Sequence, residues 1–168
     1  TFEPSPDPTI TFSALEVELG IENFMLSMGT LLGVVDSSPQ FHLTPPFIRY
    51  LSEVAFIKLG EATITGIPGE LYPEIAVGGI ESPKGADFAI EPQEVPPLRG
   101  QLPGKLNLMV NLANDAIGYI IPKSEWDKDA PWIYDESEET YGEVVSLGPN
   151  TAPIIHQTVI KLSEGSKP

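Results

Sequence analysis

From Ile10 to Leu19 apolar and polar side chains alternate in places, with Leu15, Val17 and Leu19 on one side. A period of two predicts a strand. From Ile21 to Leu32 the apolar positions Ile21, Phe24, Met25, Met28 and Leu32 follow helical spacing, which predicts a helix. The weakly polar run from Phe24 to Val35 reads as core. Residues 36–46 read as a loop. The stretch LSEVAFIKLGEATITGIPG then carries Val54, Phe56 and Ile57 up to Leu59-Gly60, followed by Ala62, Ile64 and Ile67. Two such runs about a short glycine-bearing break predict a hairpin, with its tight turn at Gly60-Glu61.

The second half is less regular. Leu71 to Val77 has room for about two helical turns. Pro73 suits a first turn, and Gly78-Gly79 suits a helix end. Residues 81–104 hold five prolines and show no period, so a long surface loop is expected. Leu106 to Leu112 is a short, nearly continuous apolar run and reads as a buried strand ending at Asn114-Asp115. An acidic, aromatic stretch with Trp126, Trp132, Tyr134 and Tyr141 follows; it either lines a pocket or folds over the core. From Pro149 to Leu162 the positions Ile154, Ile155, Val159 and Leu162 share a helical face, with Asn150 or Thr151 placed to cap it. Three prolines in residues 1–9 predict an extended arm, and residues 163–168 a frayed, flexible tail. The whole reads as an α/β fold, a mixed sheet with flanking helices in the order β–α–β–β–α–β–α.

Composition narrows the class. With 168 residues, 41% apolar and 20% charged, the chain is long enough for one domain with a substantial core. The net charge is 9 − 24 = −15, which argues against a nucleic-acid partner. No run of about 18 apolar residues is present, so no transmembrane segment is expected. The absence of cysteine excludes disulfides and thiolate metal sites. The sequence starts at Thr1 without a signal peptide, and the expectation is a processed chain or a piece of something longer.

Phosphate-binding glycine loops, the Gly-x-Ser-x-Gly elbow and His-Glu-x-x-His are all absent. Histidine occurs only as His42, in a proline-flanked loop, and His156, in the terminal helix, and a structural role is expected for each. Glu70 stands out, because a carboxylate follows Pro68-Gly69 directly at the end of an apolar run. One reading makes it a glutamate near a helix N-terminus. The other makes it an ionised, oriented carboxylate of the kind a divalent metal takes. Gly69 would allow the sharp turn before it. Tyr119, in LANDAIGYI, reads either as core packing or as part of a site at a second strand end. Sites in open α/β sheets gather beyond strand ends.

Three segments in this order, ITGIPGE (64–70), LANDAIGY (112–119) and YGEVVSLGP (141–149), resemble the neutral/alkaline ceramidases and their bacterial relatives. The resemblance covers roughly residues 50 to 162 and fits the C-terminal part of that family's catalytic domain. It implies a zinc amidase that hydrolyses the N-acyl bond of ceramide, a sphingolipid. It also implies zinc held by two histidines, a glutamate and a tyrosine. Glu70 matches that glutamate and Tyr119 that tyrosine, with Gly69 and Asn114 as supporting motif residues. The two histidines and the catalytic serine belong to motifs far upstream, and none of those motifs is in this chain. The expectation is therefore a partial domain of a larger zinc hydrolase, inactive alone. Its partner would be the upstream half, covalent or a separate chain, its substrate an amide or lipid, and its location exported. After Glu70 the family runs through threonines and Gly-Arg-Arg, whereas here Leu71-Tyr72-Pro73-Glu74 follows. The family's Tyr-Glu-x-Ala-Ser-Thr is here Tyr141-Gly142-Glu143-Val144-Val145-Ser146. Two other readings stay open: a non-catalytic α/β module that binds a ligand or partner, and an acidic domain with no site.

Overall fold

The computed structural model describes residues 9–35, 39–138 and 140–165. The expected arm at residues 1–8 and the last three residues of the tail lie outside them. In chain order the elements are β1 (Ile10–Gly20), α1 (Phe24–Leu31), β2 (Pro39–Phe41), β3 (Ile48–Leu59), β4 (Ala62–Gly66), β5 (Glu70–Leu71) and α2 (Pro73–Val77). Then come β6 (Leu106–Val110), β7 (Tyr119–Ile120), α3 (Tyr141–Val144) and α4 (Thr151–Gly165), with single 3₁₀ turns at Leu98–Gly100, Lys123–Glu125 and Ile133–Asp135.

The main sheet has the order β1-β3-β4-β6, with β2 pairing to β3 as well. β1 and β3 pair antiparallel from Ile10 opposite Leu59 to Gly20 opposite Arg49. β3 and β4 form the expected hairpin, and Gly60 takes φ 58° in its turn, a conformation glycine adopts without a Cβ penalty. β6 joins β4 in parallel, Ala62 opposite Leu106 through Gly66 opposite Val110. The sheet is therefore mixed, with helices packed beside it, as the α/β reading expects.

The core lies on one face. Val17 and Leu19 of β1 and Val54 and Phe56 of β3 pack with Ile155, Val159 and Leu162 of α4. α4 thus follows the predicted apolar face and continues through Gly165, so residues 163–165 belong to the helix rather than to a frayed tail. Ser163 is buried, and its hydroxyl donates to the Ile160 carbonyl at 2.7 Å. The loop from 81 to 104 is anchored rather than loose, since Leu98, Leu102 and Glu94 are buried.

Two expectations about burial fail. The run from Phe24 to Val35 is not core: Phe24, Met25, Leu31, Leu32 and Val34 are exposed, and Thr30 is the buried residue of α1. β6 is not a buried strand. It lies at the edge of the sheet order, and Leu106, Leu108 and Val110 are exposed while Asn107 and Met109 turn inward. In both segments apolar composition marks a surface that wants covering, but it does not say which element covers it.

Candidate functional site

Parallel pairing of β4 and β6 sets the carboxyl ends of these strands side by side, so the segments leaving them meet. Ile67 N–H donates to the Val110 carbonyl at 2.9 Å, Ala113 N–H to Ile67 at 2.9 Å and Ile117 N–H to Pro68 at 2.9 Å. The two segments then form a second, two-stranded parallel ladder, in which Glu70 is the register partner of Tyr119 and Leu71 of Ile120. Glu70 N–H donates to Gly118 at 2.9 Å and Tyr72 N–H to Ile120 at 3.1 Å. The two residues singled out in sequence, 49 positions apart, thus stand directly opposite each other.

Glycine makes this approach possible. A Cβ on Gly69 would lie 2.5 Å from the Gly118 carbonyl oxygen and 2.8 Å from the Ile117 side chain. A Cβ on Gly118, at φ 88°, would lie 1.9 Å from the Val145 carbonyl oxygen. Gly69 therefore matters for close packing as well as for the turn. The helix-terminus reading of Glu70 is overturned. Glu70 and Leu71 are strand, and α2 begins only at Pro73, with Tyr72 as its N-cap.

The Tyr119 ring lies between two others, edge-to-face with Tyr72 at 6.1 Å and with Tyr141 at 6.0 Å. The Glu70 carboxylate is the main influence on the Tyr119 phenol. Its negative charge, then loss of solvent, then Tyr141, and a hydrogen bond with Glu70 push the phenol pKa up from its ordinary value. Burial, then the charge of Glu143, push Tyr72 up to about 12. Gly142 leaves room for the Tyr72 hydroxyl, which a Cβ there would meet at 2.4 Å. The third motif segment also holds the second, as Ser146 Oγ donates to the Tyr119 carbonyl at 2.6 Å.

Asn114 and Asp115 tie the turn before Tyr119 to β3. Asn114 takes φ 71° and donates from Nδ2 to Glu53 Oε1 at 3.1 Å. Asp115 accepts from the Tyr50 hydroxyl at 2.9 Å, from Ser52 Oγ at 2.8 Å and from Ala116 N–H at 2.8 Å. Beside Tyr72 lies a cleft of about 400 Å³ whose walls include Glu125, Tyr134, Thr140 and Glu143. Glu125 there has its carboxyl pKa raised, first by burial and then by the charges of Glu74, Glu81 and Glu94, against a lowering bond from the Glu81 N–H. Trp126 is buried, while Tyr134 and Tyr141 are exposed, so the aromatic stretch partly covers the core and partly lines clefts.

Both histidines are engaged elsewhere: His42 pairs with Glu18, and the buried His156 ring nitrogen lies 2.9 Å from the Pro96 carbonyl oxygen. Among the described residues no three His, Cys, Asp or Glu side chains form a group able to hold a metal ion. As a metal-ligand pair, Glu70 and Tyr119 supply two adjacent oxygen donors, one ionisable only against the charge of the other. Two oxygen donors of that kind would suit a divalent cation and would be half of a four-ligand site. Sequence reasoning found Glu70 and Tyr119 but missed Tyr72, Gly118 and Ser146. The signals available were a tyrosine two residues after Glu70, the glycine before Tyr119, and the Ser in the third motif.

No family model matches this chain, and no curated protein does. A crystal structure of neutral ceramidase from Pseudomonas aeruginosa is similar to it at 11% identity and a TM-score of 0.44, over 92% of this chain. This chain spans 29% of that protein's length. A likeness of that size assigns neither a family nor a chemistry. No described helix is long and apolar enough to cross a membrane.

Proposed function

We propose that this chain supplies Glu70 and Tyr119 as two ligands of the zinc site of an amide hydrolase resembling the neutral ceramidases. The observation that carries the reading is the cross-strand pairing of Glu70 with Tyr119. Two residues picked out by separate motifs become neighbours through a ladder whose glycines have no room for side chains. Glu70 would give a carboxylate oxygen, and Tyr119 its phenol oxygen after losing the proton that its bond to Glu70 now favours. Tyr72 and Tyr141 hold the Tyr119 ring, and Ser146 fixes its backbone. Bound zinc would supply Lewis acidity and a more acidic bound water, the means of attacking an N-acyl bond. The remaining ligands and the nucleophile would come from an upstream part of the same protein or from a separate chain. Ceramide as substrate and an exported location belong to the same proposal.

The test is zinc content and ceramide hydrolysis of the protein assembled with that upstream part. Glu70→Ala and Tyr119→Phe should each lower bound zinc and activity by at least roughly tenfold, the usual scale for disturbing a metal's ligand set. Full zinc occupancy and activity in both variants would remove them as ligands.

A further inference from the structure

The sheet carries apolar side chains on the face opposite α4 as well as on the core face. In register, Ile10 stands beside Leu59, Ala62 and Leu106, and two residues further along Phe12 stands beside Ile57, Ile64 and Leu108. The inward row between them is polar: Thr11, Lys58, Thr63 and Asn107. Strand periodicity is thus inverted here, with the larger apolar residues aimed away from the core that α4 closes. Phe12 is 64% exposed and Leu108 46%. Scattered exposed leucines need no cause, but a contiguous apolar face does.

Ala14, Ala55, Gly66 and Val110 form the next row on this face, and the row beyond it is ionic. Glu16 stands directly opposite Glu53, a like-charge cross-strand pair that is unfavourable by itself. Among the described residues neither is in an ion pair; Arg49 and His42 go to Glu18, and Lys105 goes to Glu61 at 2.7 Å. An apolar field bordered by two carboxylates that no described cation pairs is complementary to an apolar surface bordered by cations.

We propose that this sheet face is the docking surface for a polypeptide layer other than these 168 residues, which sets an apolar face on the Phe12–Leu108 row and a lysine or arginine over Glu16 and Glu53. Charge and size favour this occupant over a second copy. Another copy would bring a further net charge of −15, and among the described residues Arg49 and His42 are already paired with Glu18. Four strands about 4.8 Å apart give a patch roughly 15 Å wide, the footprint of one or two helices about 10 Å across. A stable dimer takes about 800 Å² from each partner. The inference uses neither Glu70 nor Tyr119, and it stands or falls apart from the metal reading.

The experiment places a photo-crosslinking amino acid at position 108 in the protein made in its own cells, with mass spectrometry of the products. The expected product joins position 108 to a segment of other sequence that carries apolar residues at helical or alternating spacing and a lysine or arginine beside them. Its yield should fall roughly tenfold or more in the Glu16→Lys/Glu53→Lys double variant, as like charges then face each other. It should stay unchanged in Glu164→Lys, on the exposed end of α4. Phe12→Glu gives a second test that leaves the Asn114–Glu53 bond in place and should lower the yield as well. Thermal melting of each variant checks that it folds. Crosslinks between two copies of this chain, crosslinks to lipid, no product, or a yield indifferent to both Phe12→Glu and the charge reversals would each overturn the proposal.

Discussion

Glu70 and Tyr119 are register partners in a two-residue parallel ladder, and the carboxylate of the first raises the pKa of the phenol of the second. Removing that charge while keeping the shape should release the phenol. In Glu70→Gln the Tyr119 pKa is expected to fall back toward 10, the ordinary tyrosine value. Titration of the chain without metal, followed at the tyrosine ring by NMR, reads this directly. An unchanged Tyr119 titration would mean that the two side chains do not interact in solution.

The ladder depends on two glycines. Gly118→Ala puts a Cβ 1.9 Å from the Val145 carbonyl oxygen at a φ of 88°, and a loss of about 3 kcal/mol is expected. Gly69→Ala meets the Gly118 carbonyl at 2.5 Å and should cost about 1–3 kcal/mol. Because both substitutions press on one contact, the double variant should fall short of the sum. Equilibrium unfolding in urea measures all three. A neutral Gly118→Ala would show that the segment carrying Val145 does not close on this strand.

Asp115 is the anchor between the turn and β3. Asp115→Ala leaves the Tyr50 and Ser52 hydroxyls without their acceptor. Bonds to a charged acceptor are the stronger kind, and the loss should be about 2–3 kcal/mol. Asp115→Asn keeps one acceptor oxygen and should lose less. Denaturant midpoints of the two variants give the order.

Alkaline pH should weaken the fold through two tyrosines. Tyr72 is raised to about 12 mainly by burial, and Tyr134 to about 12 mainly by its bond to Glu81. A raised folded-state pKa means that the native state keeps its proton where the unfolded chain has lost it. The stability involved is present below pH 10 and lost as pH rises from 10 through 12. Of the five tyrosines, three, Tyr72, Tyr119 and Tyr134, should ionise late in the folded protein by phenolate absorbance, and the melting temperature should fall across that window. Tyr134→Phe removes one late step. A native titration with every tyrosine ionising near 10 would contradict both environments.

Much of the local structure is legible in the sequence. β1, the β3–β4 turn at Gly60-Glu61 and the apolar face of α4 follow from periodicity and turn chemistry. These are near-neighbour effects that a short window contains. β5 and β7 were not legible, because a two-residue strand has no period to read. α1 follows its helical spacing, yet its apolar side, which the sequence alone would place in the core, is exposed. The spacing was right, and only the assumed cover was wrong. β6 failed in the same way, since a run such as LNLMV does not say which of its faces meets α4. At the site, a carboxylate and a tyrosine at two strand ends were visible. Their contact was not.

The sequence by itself determined where the longer strands and helices form, that two polar segments follow apolar strands, and that the chain is strongly acidic. Backbone sterics, side-chain period and formal charge are local properties, so they survive without a fold. Only the tertiary structure decided that β4 and β6 are parallel neighbours, which sets Glu70 opposite Tyr119, and that α4 covers one sheet face and leaves the Ile10 and Phe12 rows of the other exposed. Both depend on contacts between residues tens of positions apart, and the free energy of those contacts is settled by what the whole chain buries together.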